Sequence, residues 1–385
     1  LETLVVTAHR TPIPLSQAGS TVSVLDEIQI TERQQVFAAD LLRDLPGVSL
    51  SRTSTNGSLT QVRVRGAEAN HLLVVIDGVE VNDPASGDEF NFGSLTNYDI
   101  ASIELVRGPQ SALWGSDAMA GILNITTRKS TEPLSAGAFL EGGSFGTLSG
   151  GGRLGIANDR GNLTFNASRY ETDGVSAAAS GREKDGYENT TLGLNGRYQI
   201  TDTFRVGVSA RYTDEMIMFD GAAGGIPVDT EDETEREQAQ FSADAGLTLL
   251  DGRWDNTLRY TYLDTDNQTT GGFPSRYAAR KDGVYLQTTL NLGSGPRLDR
   301  HRLTVGVDYE DEDYQQRTFF PDQDQSLDNL GVVLEYFAQP VDPLTLSASI
   351  RYDDNSEFED VTTYRGTGAY RFERYGTRIK GSFGT

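Results

Sequence analysis

Few groups in this sequence have the residue types that catalysis needs. Gly142-Gly143-Ser144-Phe145-Gly146 matches the G-x-S-x-G turn that presents a nucleophilic serine. That turn needs a strand before it and a helix after it, and here alternating strand pattern flanks it on both sides. The chain has three histidines (His9, His71 and His301) and no cysteine. A thiolate nucleophile and a thiolate metal site are excluded, and no histidine has metal-ligand spacing. No glycine loop ends in the Lys-Ser/Thr of a phosphate-binding loop. Glu231-Asp232-Glu233 and Asp311-Glu312-Asp313 read as solvated loop faces. With 33 Lys+Arg against 56 Asp+Glu, the net charge is −23. Such a balance argues against nucleic acid as a partner, because its phosphate backbone needs basic patches. Recognition and movement, not enzymatic turnover, are the chemistry expected.

The elements that position these residues follow two grammars. Up to Lys129 the pattern is mixed α+β. Leu41, Leu42 and Leu45 have helical spacing, and Pro46-Gly47 stops that helix. Val62 to Arg65, His71 to Ile76, Ile103 to Val106 and Ile122 to Thr126 read as short strands. Asp77-Gly78 between two apolar runs is a hairpin signal, and Ser111 to Met119 fits a short helix.

From Leu134 onward the residues alternate with period two. Phe204, Val206, Val208, Ala210 and Tyr212 form one face, and Arg205, Gly207, Ser209, Arg211 and Thr213 the other. Leu344, Leu346, Ala348, Ile350 and Tyr352 alternate likewise with polar partners. A soluble sandwich alternates too. The connections favour a membrane barrel, because short turns (Asn158 to Gly161, Gln199 to Thr203, Gln339 to Pro343) alternate with long segments. The long ones are Asp173 to Asp185, Glu215 to Glu235, Asn267 to Ala279 and Arg317 to Ser326. No run of 18 apolar residues marks a transmembrane helix, which leaves a barrel open. About 12–13 strands fit in residues 133–385, fewer than a barrel needs to enclose residues 16–132. Further strands beyond Thr385 are therefore expected.

Six motifs in order then resemble the TonB-dependent outer-membrane receptors. They are Glu2-Thr3-Leu4-Val5-Val6-Thr7-Ala8, Ala39 to Val48, Val64-Arg65-Gly66, Ile76-Asp77-Gly78-Val79, Arg107 to Gly115 and Ala120 to Ile125. The resemblance implies an α+β plug domain inside a transmembrane antiparallel β-barrel, 22-stranded in the family. It implies a TonB box and linker at 1–15, a plug at 16–132 and barrel strands from 133. It also implies active import of a large scarce nutrient across the outer membrane of a Gram-negative bacterium, with TonB, a small-molecule ligand and lipid as partners. Leu4 to Ala8 and Ile76 to Val79 look most like the vitamin B12 (cobalamin) receptor branch. Ferric siderophore or haem receptors of the same family are the alternatives, and an adhesin or a barrel hydrolase the alternatives from other classes. A closed barrel leaves no edge needing a partner, so a monomer is expected.

Residues 2–8 are then expected to pair with TonB as an added strand. Arg52, Thr53, Ser54, Thr55, Asn56, Ser58, Asp88, Phe90 and Asn91, in polar loops between plug strands, are expected to contact ligand. Arg63, Arg65, Glu104 and Arg107 are expected to pair with wall carboxylates such as Asp244 or Glu310. No cofactor is required. The resemblance suggests structural calcium at Asp173, Glu183, Asp185, Asp220 and Asp229, although Lys184 between two of these weakens a hard-cation site.

Overall fold

The structure is a computed structural model that describes residues 3–179, 181, 184–223, 226–293 and 300–385. Its first part contains Leu4–Val5 (β1), Ile13–Pro14 (β2), Thr21–Leu25 (β3), Glu27–Arg33 (α1), Ala38–Leu42 (α2) and Val48–Arg52 (β4). Thr60–Val64 (β5), Leu72–Ile76 (β6), Val79–Glu80 (β7), Ile100–Arg107 (β8), Ser111–Trp114 (α3) and Gly121–Thr127 (β9) follow.

Five of these strands form a sheet in the order β3-β8-β9-β6-β7, in which only β6 and β9 run parallel. The run Leu72-Leu73-Val74-Val75-Ile76 is apolar throughout because both sheet faces are covered. Leu72, Val74 and Ile76 pack with Ile103, Leu105, Leu123 and the helix residues Ile30, Leu41 and Leu42. Leu73, Val106 and Ile122 face Val5, Ala8 and Ile13 of the terminal hairpin. Each such Leu or Ile stabilises the domain by about 1.5–3 kcal/mol when fully buried. The β6–β7 turn is as expected, with Asp77 at φ 48° and Gly78 at φ 86°, the two left-handed residues of a type I′ hairpin. Helix α1 escaped the sequence reading, although Asp26 and Gln29 cap it reciprocally at 2.9 and 3.2 Å.

The second part is one antiparallel sheet with strands in chain order. They are Ser135–Gly142 (β10), Leu148–Asn158 (β11), Gly161–Thr172 (β12), Tyr187–Gln199 (β13), Phe204–Ala223 (β14), Ile226–Leu249 (β15) and Trp254–Thr270 (β16). Ser275–Asn291 (β17), His301–Arg317 (β18), Gln323–Val341 (β19), Leu344–Asn355 (β20), Val361–Phe372 (β21) and Thr377–Gly384 (β22) complete the thirteen among the described residues. In β20, Thr345, Ser347, Ser349, Arg351 and Asp353 are buried while Leu346, Ile350 and Tyr352 are exposed. The apolar face thus points out and the polar face points in, towards the first domain. That is the reverse of a soluble sandwich and matches a lipid-facing wall.

Three of the expected long connections are strand instead. Met216 pairs with Glu235 and Met218 with Glu233, Thr269 pairs with Ser275, and β18 and β19 are joined by residues 318–322. Backbone ladders need only backbone partners, so the strands continue after the apolar alternation stops, where both faces meet water. The segment from Asp173 to Asp185 remains a connection. Gly142 to Gly146 forms the β10–β11 turn with no helix after it, which removes the nucleophile reading.

Candidate functional site

The terminal segment is folded in, not loosely tethered. Glu2 lies outside the described residues. The backbone amides of Val6 and Thr7 each donate to Glu104 Oε2 at 3.1 Å, and Thr7 Oγ1 donates to the same oxygen at 2.6 Å. Trp114 Nε1 donates to the Thr7 carbonyl at 3.0 Å, and the Leu15 amide donates to the Thr3 carbonyl at 2.8 Å. His9 Nδ1 meets Glu335 Oε1 of the wall at 2.5 Å. Val5, Thr7 and Ala8 are buried, whereas Leu4 is 62% exposed and Val6 40% exposed. Alternate residues of the segment therefore anchor it and present an apolar edge.

Among the described residues, the expected plug–wall pairs at Arg63, Arg65, Glu104 and Arg107 are not formed. Arg63 pairs with Glu68 at 3.2 Å and donates to Gln61. Arg65 is exposed in a left-handed turn at φ 55°. Glu104 holds the terminal segment. Arg107 donates to the Pro46 carbonyl and to Ser23 Oγ. Glu104 and Arg107 lie on β8 of the plug sheet, Arg63 on the β4–β5 pair and Arg65 in the turn after it.

The wall is met by other plug residues. Arg10 pairs with Asp308, Asp99 with Arg211, and Glu80 with Lys281 at 2.6 Å. Asp83 accepts from Thr265 at 3.2 Å and Asn267 at 3.0 Å, and Arg365 donates to Ser20 Oγ at 2.5 Å. Sequence reading missed them as partners. Their signal was parity: Arg211, Asp308, Glu335, Arg351 and Arg365 all fall on the polar side of the alternation. The interface combines these polar pairs with apolar contacts of Phe37 on Tyr170, Tyr187 and Ile217 and of Phe337 on the terminal segment.

The polar plug loops lie at the end of the wall that carries the longer connections. Asn56 Nδ2 donates to Tyr170 OH at 3.2 Å. Arg52 lies 5.9 Å from the Phe37 ring, Thr53 is exposed, and Ser54 and Thr55 are partly exposed. Three expected ligand contacts have other tasks. Phe90 is a core residue, edge-on to Phe92 at 4.9 Å. Asn91 Oδ1 accepts from Thr60 and Gly93 at 2.8 and 2.9 Å, tying two loops together. Ser58 Oγ donates to the Thr55 carbonyl at 2.6 Å and closes the 53–59 turn. Asp88 faces Asp117, Glu312 and Asp83. Burial first, then the Asp117 charge, holds its carboxyl well above the usual carboxylate range.

Of the expected calcium ligands, Asp185, Asp220 and Asp229 lie near one another, and Asp173 is paired with a lysine. Glu183 lies outside the described residues. Asp173 accepts from Lys184 Nζ at 2.6 Å. Asp185 and Asp220 accept backbone amides of Ala177 and Ala178 at 2.6 and 2.5 Å, and Asp229 lies near Gly181. Among the described residues no three carboxylates or imidazoles converge as metal ligands. The carboxylates of Asp185 and Asp220 order the loop through its own N–H groups.

Comparison with known proteins agrees with this geometry. Residues 14–122 match the TonB-dependent Receptor Plug Domain. The chain is 26% identical over 371 residues to the vitamin B12 transporter BtuB of Vibrio vulnificus, covering 94% of this chain and 59% of that protein. It therefore spans under two thirds of that relative's length. The alcaligin outer-membrane receptor FauA of Bordetella pertussis superposes with a TM-score of 0.79 at 15% identity, covering 96% of this chain and 63% of that one. The ferric yersiniabactin uptake receptor FyuA of Yersinia pestis gives 0.74 at 15% identity, covering 93% and 63%. With residues 14–122 matched by that family's plug model and a wall that superposes on these barrels, the chain carries a TonB-dependent receptor plug domain and has the fold of these receptors.

Proposed function

We propose that the protein imports a large scarce nutrient across the outer membrane, that cobalamin is this nutrient, and that TonB supplies the work through residues 2–8. The outer membrane has no ATP and no large ion gradient, so the work must come from the periplasm. One observation carries the reading. The terminal segment is tied by Glu104 to the plug and by His9 and Arg10 to the wall, so tension on it bears on the contact that must open. Leu4 and Val6 supply the apolar edge for an added strand. The named vitamin B12 transporter among the relatives supports cobalamin, and Arg52 to Asn56 offer hydroxyl, amide and guanidinium groups at the outer mouth.

Two measurements test this. In cells carrying full-length protein, Leu4→Pro removes a strand donor and is expected to abolish uptake of labelled cyanocobalamin while leaving its binding intact. Unchanged uptake would refute coupling through this segment. Equilibrium binding of cyanocobalamin should be submicromolar, with no binding of ferric siderophores. The converse ranking would reassign the cargo within the family.

A further inference from the structure

A cavity of about 780 Å³ lies between the plug sheet and the lumenal face of β13–β18. Its size is that of a small-molecule site, roughly 300–1,000 Å³. It is separate from the polar outer loops. Asn195 and Ser209 border it on the wall, Val75 and Asn124 on the plug, and Arg205, Asp255 and Asn291 at the short-turn end. In a receptor of this orientation the short turns face the periplasm, so the cavity lies below the outer mouth, on the inner side of the plug.

Its charge runs against the composition of the chain. Lys129, Arg197, Arg205 and Arg259 all line it, in a protein with 56 carboxylates to 33 cations. None of the four is ion-paired among the described residues. Arg205 Nη2 donates to Thr257 Oγ1 at 3.2 Å. Arg259 Nε is buried with no hydrogen-bond partner, and its guanidinium lies against Gly78, where a Cβ would come within 2.5 Å of Nη1. Three carboxylates share this end. Asp77 is taken by the amide and hydroxyl of Thr127 at 3.0 and 2.5 Å, and Asp255 by Thr248 Oγ1 at 2.5 Å. Asp244 remains. The Arg10–Asp308 pair lies at the other end, where Lys281 is shared by Glu80, Glu310 and Glu312. At the short-turn end four cations thus face three carboxylates, two of them already held by threonines, in a wet, partly enclosed space. Guanidinium forks and an ammonium bind oxyanions there more strongly than in open water.

We infer that this cavity is a second, inner site for an oxyanion, a phosphate or carboxylate group borne by the cargo, held by Arg205 and Arg259 with Lys129 and Arg197. The inference rests on the import reading and narrows its substrate class to nutrients that carry such a group. It gives the cargo a place to rest between the outer loops and the periplasm.

Full-length protein in detergent at low ionic strength is titrated calorimetrically with inorganic pyrophosphate, a probe of the shared chemistry that needs neither TonB nor uptake. Wild type should bind, and the Arg205→Gln/Arg259→Gln pair should weaken binding by about tenfold or more, as loss of two charge-assisted contacts would. Arg259→Lys, which keeps the charge, should retain most of it and shows that the site survives substitution. Arg280→Gln, at an exposed pair with Asp282, should leave it unchanged. Absence of binding to wild type, or equal binding by the double variant, overturns the inference. A second arm distinguishes free phosphate from a cargo-borne group. If the double variant loses pyrophosphate binding and also slows uptake of labelled cyanocobalamin while outer-site binding stays intact, the group belongs to the cargo. Lost pyrophosphate binding with normal uptake overturns the transit role. Failure of the import reading itself would appear instead as uptake indifferent to Leu4→Pro.

Discussion

Arg10 of the terminal segment and Asp308 of β18 form a buried ion pair across 298 positions of sequence, with Nη1 donating to Oδ1 at 2.9 Å and both side chains less than 10% exposed. Asp308 also pairs with Arg351, which in turn holds Asp353 at 2.7 Å. The terminus is thus fastened to the wall at a point already occupied by a charge network.

Breaking the network from its centre should cost most. Asp308→Ala leaves Arg10 and Arg351 buried without it, a loss of about 3–5 kcal/mol in docking of the terminal segment. Arg10→Ala leaves Asp308 its pair with Arg351 and should cost less. Hydrogen exchange of residues 4–14 reads both, and equal effects would show that Arg351 does not share the load.

Glu104 serves three donors with one oxygen. Glu104→Ala should raise amide exchange at Val6 and Thr7 together, since each hydrogen bond to a charged group contributes about 1.5–3 kcal/mol. Glu104→Gln retains an acceptor and should fall between. Exchange rising at only one of the two amides would contradict a shared anchor.

The acidic seam at Asp88 and Asp117 predicts a pH dependence. Burial, chiefly, with added repulsion from Asp117 on Asp88 and from Glu310 and Glu312 on Asp117, raises both carboxyl groups above their ordinary range. The packed plug therefore keeps their protons where an exposed carboxylate would have lost them. That contribution is complete below the ordinary carboxylate range and is lost as pH rises through the raised values. Thermal stability should fall across that interval. Asp88→Asn with Asp117→Asn should flatten the fall and raise stability at neutral pH.

On the outer face of β19, Val332→Arg should destabilise the protein in lipid by up to about 2–4 kcal/mol, the cost of a cation at the bilayer midplane. Its neighbour Val333 is buried on the lumenal face, so Val333→Arg should act through the plug instead and remain costly in detergent. Denaturation in both media separates the two.

Much of this was legible in the sequence wherever a local rule ties residue type to shape. Asp77-Gly78 gave its turn, the period-two blocks gave the wall and its polarity, and the leucine spacing gave α2, which ends at Leu42, short of Pro46-Gly47. The ends of β14 and β15 were not legible, because beyond the lipid no face needs to be apolar and alternation carries no signal. Partners were least legible. Arg107 stands in a conspicuous motif but serves the plug's own turn, and Glu104 holds the terminal segment, while Arg10, Asp99 and Glu80 find the wall. Which of two charges meets a surface more than a hundred positions away depends on the packing angle of the whole domain, and no spacing encodes it.

The central claim is that the apolar face of the second half lies in lipid and the polar face surrounds the plug. Nitroxide labels placed singly at residues 345–353, in full-length protein reconstituted in bilayers, test it through collision with oxygen and with a water-soluble nickel chelate. Labels at Leu346, Ala348, Ile350 and Tyr352 should collide with oxygen and escape nickel, and those at Thr345, Ser347, Ser349 and Arg351 should show low oxygen access. An absence of this alternation, or low oxygen access on both faces, would contradict the account.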